Sequence, residues 1–153
     1  MTRISLNGKT DLLSLNRDEL KSFMVELGEP AYRAEQIFTQ LHRGISPDEM
    51  TNIPKKLKET LLQCACYPLP TVEKKLTSAL DGTVKYLMGL YDGNCVESVV
   101  MKYNHGNPIC ISSQVGCRMG CRFCASTIGG RVRDLLPSEL LGQIIVAERD
   151  TGE

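Results

Sequence analysis

A chain of 153 residues has room for one ordinary domain, or for a small domain and part of a second. At 42% hydrophobic and 24% charged it reads as globular, and no apolar run approaches the length that spans a bilayer. Eighteen basic and eighteen acidic residues cancel, so net charge alone gives no argument for a nucleic-acid partner.

Met1 to Thr10 carries neither an apolar signal core nor an Arg-rich amphipathic pattern, which predicts a cytoplasmic chain. The first half reads as helices. Asn16 stands three residues before Glu19, a reciprocal capping pattern, and Leu20, Phe23, Met24 and Leu27 follow at helical spacing up to Gly28. A second stripe, Ala34, Ile37, Phe38 and Leu41, ends at Gly44. Ser46-Pro47-Asp48-Glu49 predicts a further helix start, and Pro54 opens a short helix through Leu57, Leu61 and Leu62.

From Val72 the period changes. Runs at Val72–Leu80, Thr83–Tyr91 and Cys95–Tyr103 are parted by Asp81-Gly82 and Asp92-Gly93-Asn94, turn signals that predict an antiparallel meander. A fourth strand is expected over Ile109–Ser113, followed by a cysteine-rich loop. A helix then starts at Ser138-Glu139, with Leu140, Leu141, Ile144 and Ile145 on one face. The predicted class is α+β followed by α/β: a helical module at 1–68, a meander at 69–107, and the first βα unit of a parallel structure at 108–153. A single βα unit cannot bury its own sheet face.

Seven cysteines, Cys64, Cys66, Cys95, Cys110, Cys117, Cys121 and Cys124, are an odd number, which in a reducing compartment points to metal or redox chemistry. Cys117-Arg118-Met119-Gly120-Cys121-Arg122-Phe123-Cys124 is a C-x₃-C-x₂-C run. Three soft thiolates on one short loop suit iron–sulfur or zinc. A structural zinc wants four protein ligands, usually as paired C-x₂-C elements; no second pair is correctly placed, although His105 or Cys110 could in principle supply a fourth. Three cysteines without an obvious fourth suggest a [4Fe–4S] cluster with one iron left open. No acidic residue falls between Glu97 and Asp134, while Lys102, Arg118, Arg122, Arg131 and Arg133 do. Arg118, Arg122, Arg131 and Arg133 are candidate RNA phosphate contacts, with a solvated basic loop as the equal alternative.

C-x₃-C-x₂-C just after the first strand of an α/β unit is the signature of the radical S-adenosylmethionine superfamily, which this chain resembles. The longer string from Cys110-Ile111-Ser112-Ser113-Gln114-Val115-Gly116-Cys117 to Phe123-Cys124-Ala125-Ser126-Thr127 is similar to the RlmN-type dual-specificity RNA methyltransferases. Tyr32-Arg33-Ala34-Glu35-Gln36-Ile37 resembles the start of that family's second helix. The resemblance implies methylation of adenine C2 in 23S ribosomal RNA and transfer RNA, with S-adenosylmethionine as cofactor, a partial (β/α) barrel, and an electron donor for the cluster. It implies a helical RNA-binding accessory domain. A sister group methylates C8 of the same ribosomal adenine and has cysteine where Val115 stands, so the C2 group fits better.

Residue by residue, the resemblance makes Cys117, Cys121 and Cys124 the cluster ligands. It makes Cys110 the catalytic thiol that resolves the product adduct, and Glu97 a proton acceptor or adenine contact. Phe123, between two ligands, is expected to shield the cluster and pack near the cofactor's adenine. The family's methyl-carrying cysteine, later barrel strands and glycine-rich cofactor segment have no counterpart here. The expectation is therefore an N-terminal portion, unable to complete a cycle alone, with its C-terminal half as partner. The competing expectation is a non-catalytic, metal-bound RNA-binding module.

Overall fold

The computed structural model describes residues 3–152. These form two compact units that meet in sequence between Pro68 and Leu69.

The first unit orders strands β1 (Ser5–Leu6) and β2 (Lys9–Asp11), helices α1 (Arg17–Glu26), α2 (Tyr32–His42) and α3 (Lys55–Cys64), and strand β3 (Ala65–Cys66). The Asn16 side chain accepts from the Asp18 and Glu19 amides, and the Glu19 carboxylate accepts from the Asn16 amide, closing the expected capping box. Gly28, at φ +77°, and Gly44, at φ +80°, end α1 and α2. After each, paired amide-to-carbonyl bonds (Glu29 to Met24, Gly28 to Val25; Ile45 to Gln40, Gly44 to Leu41) satisfy the last helical carbonyls. Leu20, Phe23, Met24, Ala34, Ile37, Leu41, Leu57 and Leu61 fill the core.

Two expectations fail in this unit. It is not helical throughout, because β2 pairs antiparallel with β1 and parallel with β3, matching Thr10 to Ala65 and Asp11 to Cys66. These strands are too short to show a period of two. Ser46–Glu49 makes its capping contacts, with the Glu49 carboxylate accepting from the Ser46 amide and hydroxyl, yet no helix follows. Pro54 disfavours helical backbone just before it, leaving too few residues to nucleate one. Met50 and Ile53 are buried from an irregular segment instead.

The second unit holds the meander β4 (Thr71–Thr77), β5 (Val84–Gly89), β6 (Cys95–Val100) and β7 (Ile109–Cys110), in that order across the sheet. Strands β8 (Gln114–Gly116) and β9 (Arg131–Asp134) pair antiparallel, and α4 (Pro137–Thr151) follows. Val84, Tyr86, Met88, Val96 and Val100 face inward and form one core with Val115, Leu135 and Ala147. The alternate residues of β5 and β6 make the outer face.

The expected parallel βα unit is not seen among the described residues. Ile109–Cys110 joins the meander antiparallel to β6, and the cysteine loop hangs between β8 and β9, which also pair antiparallel. The helix differs as well. Ser138, Glu139, Gly142 and Gln143 are buried along α4 with Ile145, whereas Leu140 and Leu141 are half-buried and Ile144 is exposed. Glu139 and Gln143 take the packed side because each carboxylate or amide finds hydrogen-bond partners there.

Candidate cluster-binding site

The loop from Cys117 to Gly130 is closed by main chain. The Cys117 amide donates to the Gly130 carbonyl at 3.1 Å. A Cβ on Gly116, at φ +71°, would lie 1.9 Å from that same oxygen, so only glycine permits the approach. Gly120, at φ +68°, lies in the turn between the first two cysteines. A short 3₁₀ turn at Ala125–Thr127 follows the third. The Thr127 hydroxyl donates to the Cys121 and Cys124 carbonyls at 3.2 and 2.8 Å, holding that turn against the two cysteines.

Cys117, Cys121 and Cys124 are free thiols, each half-buried. Among the described residues, no three or more His, Cys, Asp or Glu converge closely enough to hold a single metal ion. The donor set, three soft thiols on one closed loop, fits the cluster.

A cavity of about 440 Å³ adjoins the loop and is lined by Cys117 and Cys124 together with Cys95, Glu97, Ser112 and Gln114. The structure thus brings Glu97, from the middle of the meander, to two of the cysteines. The Glu97 carboxylate pairs with Lys85 at 2.7 Å, and both side chains are about half exposed (54% and 46%). Cys110 is exposed at the end of β7, opposite Val99. It shares the outer face with Cys95 and Glu97, because residues 95, 97 and 99 alternate away from the core. Phe123 is 93% exposed, and Met119 and Ile128 on the same loop are exposed too.

The four arginines divide. Arg118 and Arg122 are exposed and make no ion pair among the described residues. Arg131 pairs with Asp134 on its own strand. Arg133 is fully engaged: two nitrogens bond the Glu139 carboxylate at 2.7 and 2.8 Å, and Nε bonds Asp92 at 2.8 Å. The hydrogen bonds that Arg133 donates to Glu139 and then to Asp92 push its guanidinium up. The Arg133 guanidinium holds the Asp92 carboxyl down, at about 2. Glu139 also accepts from the Leu136 amide at 2.8 Å, so one buried carboxylate ties the start of α4 to β9 and to the meander turn.

Gln143 and its partners were not legible as functional. Its Oε1 accepts from the Ser98 hydroxyl at 2.7 Å and the Ser112 amide at 2.9 Å, and its Nε2 donates to the Ser112 carbonyl at 3.0 Å. Ser112 in turn donates to the Glu97 carbonyl at 2.7 Å. This buried amide fixes the segment between Cys110 and the loop to β6 and α4. The one available signal was a polar residue inside an otherwise apolar helical stretch.

Residues 10–67 match the family described as ribosomal RNA large subunit methyltransferase N-terminal domain. A probable dual-specificity RNA methyltransferase RlmN from Lachnospira eligens is 53% identical over 146 residues, which are 94% of this chain and 42% of the relative. The chain belongs to the RlmN family. A second such relative, from Alkaliphilus oremlandii, is 48% identical over 146 residues, 95% of this chain and 43% of its own length. The crystal structure of a radical SAM methyltransferase from Sphaerobacter thermophilus superposes with a TM-score of 0.81 at 34% identity, over 93% of this chain and 42% of that one. The chain therefore spans about two fifths of the length of these two relatives and of that solved structure.

Proposed function

We propose that this chain supplies the cluster loop, Glu97 and Cys110 to a radical S-adenosylmethionine enzyme that methylates C2 of adenine in 23S ribosomal RNA and transfer RNA. One observation carries the reading: two of the three loop cysteines and Glu97 line a single cavity, although a turn and two strands, β7 and β8, separate them in sequence. Adenine C2 is electron-poor, so a methyl cation equivalent has no electron pair to attack there. The reaction needs a radical route. When bound, a [4Fe–4S] cluster supplies an open iron and a low-potential electron to S-adenosylmethionine.

The chain's own residues do the rest of what can be assigned. Cys117, Cys121 and Cys124 hold the cluster as thiolates. Glu97, at the cavity wall, contacts the adenine or accepts its C2 proton. Cys110, exposed on the same sheet face, provides the thiolate that helps release product. Arg118 and Arg122 remain the loop cations open to phosphate. The residue that carries the methyl group belongs to the part of the family's length that this chain does not span.

Anaerobic reconstitution of the chain with iron and sulfide tests the reading. About four irons per chain are expected, with incorporation lost in Cys117→Ala, Cys121→Ala and Cys124→Ala, and an electron paramagnetic resonance signal altered by S-adenosylmethionine. Stoichiometric zinc without iron uptake would overturn it and leave a zinc-bound RNA-binding module.

A further inference from the structure

The outer face of the meander is organised in rows that run across the strands. Register aligns Lys74, Leu87 and Glu97 in one row, and Leu76, Lys85, Val99 and Cys110 in the next. Adjacent strands lie about 4.8 Å apart, so each row spans about 10 Å between Lys74 and Glu97, or between Lys85 and Cys110. A second cavity, of about 250 Å³, lies over these rows and is lined by Lys74, Leu76, Lys85, Leu87 and Glu97. Glu97 is common to this cavity and to the one that holds Cys117 and Cys124.

Lys74 is exposed and has no ion pair among the described residues. Among the described residues Lys85 pairs only with Glu97, in a contact open to water on both sides. Such a pair contributes little stability, so Lys85 can change partners without cost to the fold. Leu76, exposed, and Leu87, half-buried, give the groove an aliphatic floor between its two cations.

We propose that this groove is a phosphodiester subsite for single-stranded RNA. In it, Lys74 and Lys85 hold the phosphate next to the nucleotide whose base enters the cysteine cavity. The assignment rests on the function proposed above and gives that site its substrate contact. Lys74 and Lys85 stand on β4 and β5, and Glu97 and Cys110 on β6 and β7, an order that matches a nucleotide lying across the strands, phosphate at the lysines and base toward the loop. The aliphatic floor suits a sugar and base edge better than a free anion. Arrival of the phosphate draws Lys85 off Glu97 and leaves that carboxylate free to face the base.

Fluorescence anisotropy of the full chain with a short adenine-containing single-stranded oligoribonucleotide, at graded salt, tests this. The Lys74→Ala/Lys85→Ala double variant is expected to bind about tenfold more weakly at low salt. Its log–log salt slope is expected to fall by about 0.7 for each phosphate that the lysines no longer neutralise. Lys75→Ala is the control, since Lys75 pairs with Asp150 and shares its register position with the inward-facing Tyr86. Both lysines are exposed, and circular dichroism checks that the variants fold. Equal affinity and slope in the double variant and the control would overturn the subsite and leave the enzymatic reading standing. Full displacement of RNA by millimolar inorganic phosphate would also overturn it, by showing a free-anion pocket. If the chain takes up no cluster yet its RNA binding still depends on Lys74 and Lys85, the enzymatic reading fails and the subsite stands.

Discussion

Replacing Gln143 with leucine removes one amide and strands three groups at once. The side chains have similar volume, so packing changes little and the cost is polar. The Ser112 amide and carbonyl lose their partner and the Ser98 hydroxyl is left with only a 3.8 Å contact to the Met88 sulfur, while the helical carbonyl of Glu139 loses only a second donor. Gln143 and Ser98 are fully buried, so water cannot replace the bond between them. A buried polar group left unpaired costs about 1–3 kcal/mol. With Ser112 only partly buried, the sum comes to about 3 kcal/mol, or on the order of 10 °C or more in Tm for a unit of this size. The assay is thermal unfolding by circular dichroism, paired with hydrogen exchange at residues 110–116. Exchange there is expected to rise first, because Ser112 is held on both its amide and its carbonyl. A change below about 0.5 kcal/mol, the range of ordinary surface substitutions, would refute the claim that this amide fixes the cavity wall.

Arg133→Ala leaves the buried Glu139 carboxylate without its cation, and about 3 kcal/mol of destabilisation is expected in denaturant titration. The same arginine holds Asp92 at about 2, against 3.8 ordinarily. A lowered carboxyl contributes stability above pH 4, which is lost as pH falls through 2, and Arg133→Ala is expected to flatten that acid limb. Gly116→Ala forces a Cβ into the Gly130 carbonyl at a left-handed φ. Loss of iron uptake is expected on reconstitution, together with about 2 kcal/mol or more of destabilisation. Burial pushes the Cys66 thiol up to about 11, so at pH 8 only about one molecule in a thousand is thiolate. Mass-spectrometric alkylation kinetics are expected to find Cys66 at least tenfold slower than exposed Cys95 and Cys110.

The helices of the first unit were readable because their caps, stops and stripes are local. Asn16, Glu19, Gly28 and Gly44 each act within one or two turns of themselves. The meander was readable for the same reason, through Asp81-Gly82 and Asp92-Gly93-Asn94. What escaped depends on distant partners. The β2–β3 pairing joins residues more than fifty positions apart, and strands of two or three residues leave no pattern to find. The cysteine spacing announced the loop, but nothing local said that β8 and β9 would close it as an antiparallel ribbon. The polar side of α4 misled for a physical reason. Glu139 and Gln143 look like solvent residues until Arg133, Ser98 and Ser112 arrive from elsewhere in the chain. Arg133 likewise stood among the candidate phosphate contacts on sequence grounds, and the folded chain commits both edges of its guanidinium to carboxylates.

The bond from the Cys117 amide to the Gly130 carbonyl has a consequence for how the site is furnished. Protein alone ties the two ends of the loop, so the β8–β9 ribbon is expected to keep its fold whether or not the three thiols carry a ligand.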